Sequence, residues 1–161
     1  TGAGFPGIPL KIAFPELKIT LLDSLNKRVN FLNEVIEMLG LKNVTAVHGR
    51  AEDYAKQKEH REKYDFCVSR AVANLSTLSE YCIPFVKKGG YFIPYKSGKA
   101  DEEIAQARSA VKKLGGEMKD IIVKILPEAD VERTFVPVKK MAITAKKYPR
   151  KAGLPGKEPL K

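Results

Sequence analysis

The 161-residue chain has few of the residues that build metal centres, disulfide frameworks or membrane spans. Its thiols and imidazoles number four, and none lies at the short spacing of zinc ligands or of a CxxC redox motif: Cys67, Cys82, His48 and His60. No run of 18 apolar residues is long enough to cross a bilayer. We therefore expect no metal ion and no membrane partner, and two reduced core thiols in a cytoplasmic protein.

Acidic residues are also scarce, since 19 Asp and Glu stand against 29 Lys and Arg, a formal net charge of +10. Such a charge attracts polyanions. The basic residues concentrate after Lys139, where Tyr148, prolines and glycines lie between them. We divide the chain into one domain over residues 1–145 and an irregular basic tail over residues 146–161. This composition suits an extended arm on phosphates, although a solvated, disordered end has the same composition.

Helical and strand patterns alternate along the chain, which predicts an α/β fold with a mainly parallel sheet. Apolar runs predict strands at residues 18–23, 44–48, 65–70 and 91–95. The 3.6-residue period predicts helices between Ser24, as the cap, and Gly40, and at residues 51–58, 75–83 and 101–114. Two β-rich runs, residues 118–126 and 134–144, predict an antiparallel hairpin at the sheet edge.

The opening stretch TGAGFPGIPL contains the pattern G-x-G-x-x-G at Gly2, Gly4 and Gly7. Such glycines allow a tight turn and close approach of the backbone to a ligand. Asp23 ends the next predicted strand, where a carboxylate can accept hydrogen bonds from ribose hydroxyls. The alternative is a glycine-rich turn with a capping aspartate. Because no strand pattern precedes Gly2, we expect the first strand of the sheet to be missing and the chain to be a fragment.

Five stretches resemble, in order, the RsmG (GidB) family of bacterial small-subunit rRNA methyltransferases: TGAGFPGIPLKI, LLDSLNKRVNFL, GRAED, SRA and YPRKAGLPGKEPL. The resemblance implies a Rossmann-like class I methyltransferase that uses S-adenosylmethionine. It also implies methyl transfer to N7 of a guanine, conventionally position 527, in 16S rRNA, with 16S rRNA or the small ribosomal subunit as partner. We expect a monomer.

The resemblance assigns roles to individual residues. It implies that Asp23 holds the cofactor ribose and that Ala51 and Glu52, in GRAED, form the adenine-binding pair. Arg70, in SRA, is implied as a cofactor-site or active-site arginine. The full set of implied cofactor contacts is Gly2, Gly4, Phe5, Asp23, Ala51, Glu52 and Arg70. Without the resemblance, Phe5 reads as a core residue, Glu52 as a carboxylate favoured at a helix N-terminus and Arg70 as a surface ion-pair partner.

No general base is assigned, because guanine N7 carries an exposed lone pair at neutral pH and loses no proton on methylation. Alignment of the reacting atoms is the expected catalytic contribution. The residues predicted to contact RNA are Lys96, Lys146, Lys147, Arg150 and Lys151. For Lys96 a solvated lysine after a strand is the alternative. Two other functions remain open at this point: a nicotinamide-dependent oxidoreductase, which shares the glycine loop and Asp23, and a non-catalytic basic RNA-binding domain.

Overall fold

The computed structural model describes residues 1–70, 72–97, 100–129 and 131–161. Ala71, the last residue of the SRA motif, lies outside the described residues. The chain divides into two compact units, Thr1–Ala51 and Glu52–Lys161. Among the described helices, none combines the length and apolar character that a membrane span requires.

The first unit pairs two strands in parallel and packs two helices with them. Its elements are α1 (Gly7–Ala13), β1 (Ile19–Asp23), α2 (Asn26–Met38) and β2 (Val44–His48). The register runs from Ile19 beside Val44 to Asp23 beside His48. The bounds of β2 agree with the prediction, but α2 begins after Leu25, and no side chain caps it, so the expected Ser24 cap is wrong. The backbone carbonyl of Ser24 instead lies 3.1 Å from His48 Nε2.

The core of the first unit explains one glycine of the loop. Ile8, Leu21 and Leu32 form this core and are almost fully buried. Gly4 has a φ of +91°, and a Cβ there would lie 2.5 Å from Ile8 Cγ1 and 3.0 Å from Leu32 Cδ2. Only a residue without a side chain allows this turn and this close packing.

The second unit begins with α3, a four-residue helix that starts on the last residue of the first unit. Its helices are α3 (Ala51–Tyr54), α4 (Leu75–Cys82), α5 (Asp101–Lys113) and α6 (Leu154–Lys157). Its strands are β3 (Tyr64–Arg70), β4 (Val86–Ser97), β5 (Gly116–Met118), β6 (Ile122–Leu126), β7 (Val131–Phe135) and β8 (Val138–Lys140). A short 3₁₀ turn, Ile83–Phe85, joins α4 to β4. Asn74 caps α4 by accepting hydrogen bonds from the N–H groups of Ser76 and Thr77.

The sheet of the second unit has the strand order β5-β8-β4-β7-β6, and β3 pairs with β4. The α/β class and the hairpin, formed by β6 and β7, are confirmed. A mainly parallel sheet is wrong for this unit, since β3 and β4 are the only parallel pair among its described strands. The reason is the length of β4: its twelve residues pair with β8 at Tyr91 and Phe92 and with β7 from Tyr95 to Ser97. One long strand thus takes two antiparallel neighbours in succession.

The expected extended arm at residues 146–161 is also wrong. Tyr148 is buried, and Leu160 packs against the apolar core of the second unit. The Arg61 guanidinium donates hydrogen bonds to the backbone carbonyls of Thr144 at 2.7 Å and Tyr148 at 2.9 Å. The Thr77 hydroxyl donates to the carbonyl of Pro155 at 3.0 Å. Although largely irregular, this segment is fixed, because the carbonyls of Tyr148 and Pro155 accept hydrogen bonds from side chains of the unit.

Candidate functional site

The glycine loop and Asp23 meet in the first unit. Asp23 ends β1, is 5% exposed, and accepts a hydrogen bond from the Gly2 N–H at Oδ2, 2.8 Å away. The same oxygen accepts from the amino group of Thr1 at 2.9 Å, and Oδ1 accepts from the Leu25 N–H at 3.0 Å. The carboxylate predicted to hold a ribose therefore lies directly against the loop predicted to hold the cofactor.

The surroundings of Asp23 keep it ionised. Burial by itself would raise the pKa of its carboxyl, because the charged form loses hydration. The hydrogen bonds from Gly2, Thr1 and Leu25 outweigh this and lower the pKa to about 2. At neutral pH, Asp23 is a charged acceptor.

Acidification tests this charge. The pKa of Asp23 is lower in the folded chain than its ordinary value of 3.8, so its contribution is complete at neutral pH and is lost as pH falls from about 4 through about 2. We expect a loss of about 2 kcal/mol of unfolding free energy over that range, measured by urea unfolding at pH 5, 3 and 2. In the variant Asp23→Asn this pH-dependent loss of unfolding free energy should be absent. An equal loss in both proteins would contradict the assignment.

Gly2 borders open space beside this carboxylate, and Phe5 of the same loop is exposed. Gly2 has a φ of +60°, and a Cβ built on it meets no atom within 4 Å. Phe5 is 48% exposed, so it is not the core residue that its side chain alone suggests. In contrast to Gly4, which serves packing, Gly2 leaves room for a ligand.

Glu52, of the implied adenine pair, is buried in the second unit although it carries a carboxylate. It is 5% exposed, and its Oε1 accepts a hydrogen bond from the Gly153 N–H at 2.9 Å. Ala51, half-buried, is the first residue of α3. The contact to Gly153 joins the GRAED motif to the YPRKAG motif, which lie 101 residues apart between Glu52 and Gly153.

Arg70 lies where the sequence predicted it, at the carboxyl end of a strand. It is the last residue of β3, its side chain is exposed, and it stands beside Tyr95 of the parallel neighbour β4. The Tyr95 ring packs edge-on against Phe135, with ring centroids 4.7 Å apart, and burial raises the pKa of Tyr95. An arginine at such a strand end suits binding of a ligand at the sheet edge.

Lys96, predicted to contact RNA, is held by the protein. Its ammonium donates to the Ala73 carbonyl at 2.9 Å and to Glu103 Oε1 at 2.6 Å. Glu103 also accepts a hydrogen bond from the Leu75 N–H at the start of α4. The side chain of Lys96 therefore ties β4 to the start of α4 and to α5, and its RNA contact stays a prediction.

Arg150 likewise has a partner, which the sequence pattern did not predict. Glu80 on α4 is 0% exposed, and the Arg150 guanidinium reaches it with Nε at 3.0 Å from Oε1 and with an Nη at 2.8 Å from Oε2. The Arg150 N–H donates to Glu80 Oε1 at 2.7 Å. Hydrogen bonding to Glu80 raises the pKa of Arg150. The sequence offers one indication of this ion pair, which is Glu80 itself, the one charged residue in the stretch LSTLSEYCIPFV.

Three other basic residues predicted to contact RNA are exposed: Lys146, Lys147 and Lys151. Lys147 places its ammonium 5.2 Å from the centre of the Tyr148 ring. Together with Arg150 they belong to the fixed segment, so their charges are presented from a defined backbone.

A match to a protein-family model shows to which family the chain belongs. The GidB model, described as rRNA small subunit methyltransferase G, matches residues 1–135. The chain belongs to the GidB family. The resemblance seen in the sequence is thereby confirmed, and the family motifs can be placed on the two units described above.

Two curated members of the family show how far the likeness extends. Ribosomal RNA small subunit methyltransferase G of Lachnoclostridium phytofermentans is 58% identical over 160 residues, which are 99% of this chain and 66% of that relative. The protein of the same name from Clostridium botulinum strain Loch Maree is 58% identical over 161 residues, all of this chain and 67% of that relative. The chain spans about two thirds of the length of these family members.

Solved structures place the family in the class I methyltransferase fold. M. jannaschii TYW2, solved in complex with AdoMet, superposes with a TM-score of 0.65 at 17% identity, over 87% of this chain and 66% of that one. Geranyl diphosphate methyltransferase, solved in complex with SAM, gives a TM-score of 0.63 at 8% identity, over 87% and 75%. At these identities the likeness concerns the fold, which is the Rossmann-like fold expected from the sequence.

Proposed function

We propose that this protein transfers a methyl group from S-adenosylmethionine to N7 of a guanine, position 527, in 16S rRNA. The observation that carries the proposal is the 58% identity, over 99% of the chain, to a ribosomal RNA small subunit methyltransferase G. When bound, S-adenosylmethionine supplies an electrophilic methyl group. The proposed partner is 16S rRNA or the small ribosomal subunit, and the proposed enzyme is cytoplasmic and monomeric.

The chain's own residues fit such a cofactor. Asp23 is an ionised carboxylate, and each carboxylate oxygen has more than one lone pair, so both can accept ribose hydroxyls beside their present bonds. Gly2 leaves open space next to it. These two features support a ribose contact by Asp23 and backbone contacts by Gly2 and Gly4, with Phe5 against the methionine end.

The remaining roles follow from position at strand ends and from the family motifs. Ala51 and Glu52 hold the adenine, and Arg70 orients the methyl-transfer end. No residue is needed to remove a proton, because guanine N7 attacks with a lone pair that is free at neutral pH. Orientation of N7 in line with the methyl group is then the main contribution to rate.

The test incubates the protein with methyl-labelled S-adenosylmethionine and small ribosomal subunits that lack the modification. Label in N7-methylguanine at a single 16S position is the expected result. If the protein binds S-adenosylhomocysteine but transfers no label to the RNA, the cofactor assignment stands and the proposed substrate is wrong. Displacement of the bound cofactor by NADH would favour the oxidoreductase instead, and RNA binding without saturable cofactor binding would favour the non-catalytic domain.

The exposed lysines should contact phosphates, and salt dependence measures this. Replacing Lys147 or Lys151 by glutamine is expected to weaken RNA binding and to lower the slope of log Kd against log salt by about 1 for each phosphate that is no longer bound. Lys42→Gln is the matched control, because Lys42 is exposed and lies just before Asn43 and the start of β2. Asp23 lies at the other end of the paired strands. Equal slopes in all three variants would contradict phosphate binding by the segment.

A further inference from the structure

The segment that follows Tyr148 makes a hydrogen bond to Glu52, one of the two residues implied to bind adenine. A role in RNA binding does not explain this contact. The Gly153 N–H points at Glu52 Oε1, 2.9 Å away. Glu52 is 5% exposed, so the hydrogen bond holds a charge that is almost fully removed from water. Hydrogen bonds to buried charged groups are among the strong ones in proteins.

Three residues before Gly153, the same segment is anchored by Arg150. Both the backbone N–H and the guanidinium of Arg150 donate to Glu80, which is 0% exposed. A second Nη bond, of 2.6 Å, reaches the Glu158 carbonyl on the far side of α6. Arg150 therefore fixes the chain on both sides of Gly153, and a side chain used in this way has little freedom left to follow an RNA phosphate.

We propose that Arg150, anchored on Glu80, is a positioning residue for cofactor binding: it fixes Gly153, whose N–H in turn fixes Glu52. This inference rests on the proposed function and adds to it a role for a residue that the sequence had assigned to RNA. The carboxylate of Glu52 is turned toward the protein, so the segment sets the position of the GRAED backbone to which the adenine is assigned.

The experiment uses a charge-neutral pair of substitutions, because loss of Arg150 alone leaves the Glu80 charge buried and unpaired. In Glu80→Gln/Arg150→Gln both charges disappear and the net charge is unchanged, so no buried carboxylate is left without a cation. The matched control is Lys157→Gln/Glu158→Gln, which also removes one charge of each sign from the same segment, at exposed side chains.

Affinity for S-adenosylhomocysteine, measured by calorimetry, is the first readout. We expect the Kd to rise about tenfold in Glu80→Gln/Arg150→Gln, the loss of a hydrogen bond to a charged group, and to stay unchanged in the control. Glu52→Gln should weaken binding by a similar factor. Both changes act on the contact between Glu52 and Gly153. The variant that combines all three substitutions should therefore bind S-adenosylhomocysteine no more weakly than the weaker binder of Glu80→Gln/Arg150→Gln and Glu52→Gln. Two results would overturn the proposal. One is that the increases in Kd multiply in the combined variant, and the other is that folded Glu80→Gln/Arg150→Gln binds with wild-type affinity.

Hydrogen exchange in the ligand-free protein separates this proposal from the proposed function. Faster exchange of the amides of residues 51–54 and 153 in Glu80→Gln/Arg150→Gln, but not in the control, is the expected result. Wild-type protein that binds no S-adenosylhomocysteine would contradict the cofactor assignment, while unchanged exchange at those amides would contradict the positioning role itself.

Discussion

Replacing Arg150 by alanine is expected to lower the unfolding free energy by about 3–5 kcal/mol, because it leaves the carboxylate of a 0% exposed Glu80 without its cation. Urea unfolding followed by circular dichroism measures the change. The cost arises mainly from the uncompensated charge and not from the ion pair as such. Glu80→Gln/Arg150→Gln should therefore recover most of the lost stability.

Lys151 provides the comparison for this prediction. It is the next residue along the chain, carries the same charge and is exposed. Lys151→Ala should change stability by no more than about 0.5 kcal/mol. If Arg150→Ala and Lys151→Ala had the same small effect, the anchoring of the segment by Glu80 would be wrong.

The second large effect concerns the cofactor. Asp23→Ala is expected to weaken S-adenosylhomocysteine binding by about 30- to 150-fold, corresponding to roughly 2–3 kcal/mol for hydrogen bonds from ribose hydroxyls to a charged acceptor. The size follows from the charge of the Asp23 carboxylate, because hydrogen bonds to a charged group are stronger than those between neutral groups. Calorimetric titration of the folded variant measures it.

Two further variants separate the charge of Asp23 from its effect on the loop. Asp23→Asn keeps an acceptor for the Gly2 or Leu25 N–H and should lose less affinity than alanine. Glu34→Ala removes an exposed carboxylate from α2 of the same unit and should bind like wild type. Equal affinities for wild type and Asp23→Ala would mean that the ribose is held elsewhere.

Local patterns predicted the positions of most elements, although the helix expected at residues 51–58 ends at Tyr54. The strand Val44–His48 has its expected bounds, and the helices at Leu75 and Asp101 start where the sequence placed them. Such features depend on residues a few positions apart, whose apolar spacing is visible in the sequence. The contact of the glycine loop with Asp23 was likewise accessible, because strand and loop follow each other along the chain.

Strand direction and the path of the last residues could not be obtained in this way. The apolar pattern of β4 does not show that β7 and β8 share one of its edges. Arg150 was read with its lysine neighbours as a charge for RNA, since its pairing with Glu80 spans 70 residues and leaves no periodic mark. The contacts that the sequence pattern did not reveal are those whose partners come from distant parts of the chain.

The anchoring of the last residues has a consequence for synthesis. Glu80 is made 70 residues before Arg150, and at 5–20 residues per second its partner follows roughly 4–14 s later. During that interval α4 carries a charged carboxylate that cannot be buried without an unpaired-charge penalty. We expect the helix to stay incompletely packed, and open to chaperones and proteases, until the YPRKAG motif has emerged. Packing of α4 is thus completed only after the segment around Arg150 has been made.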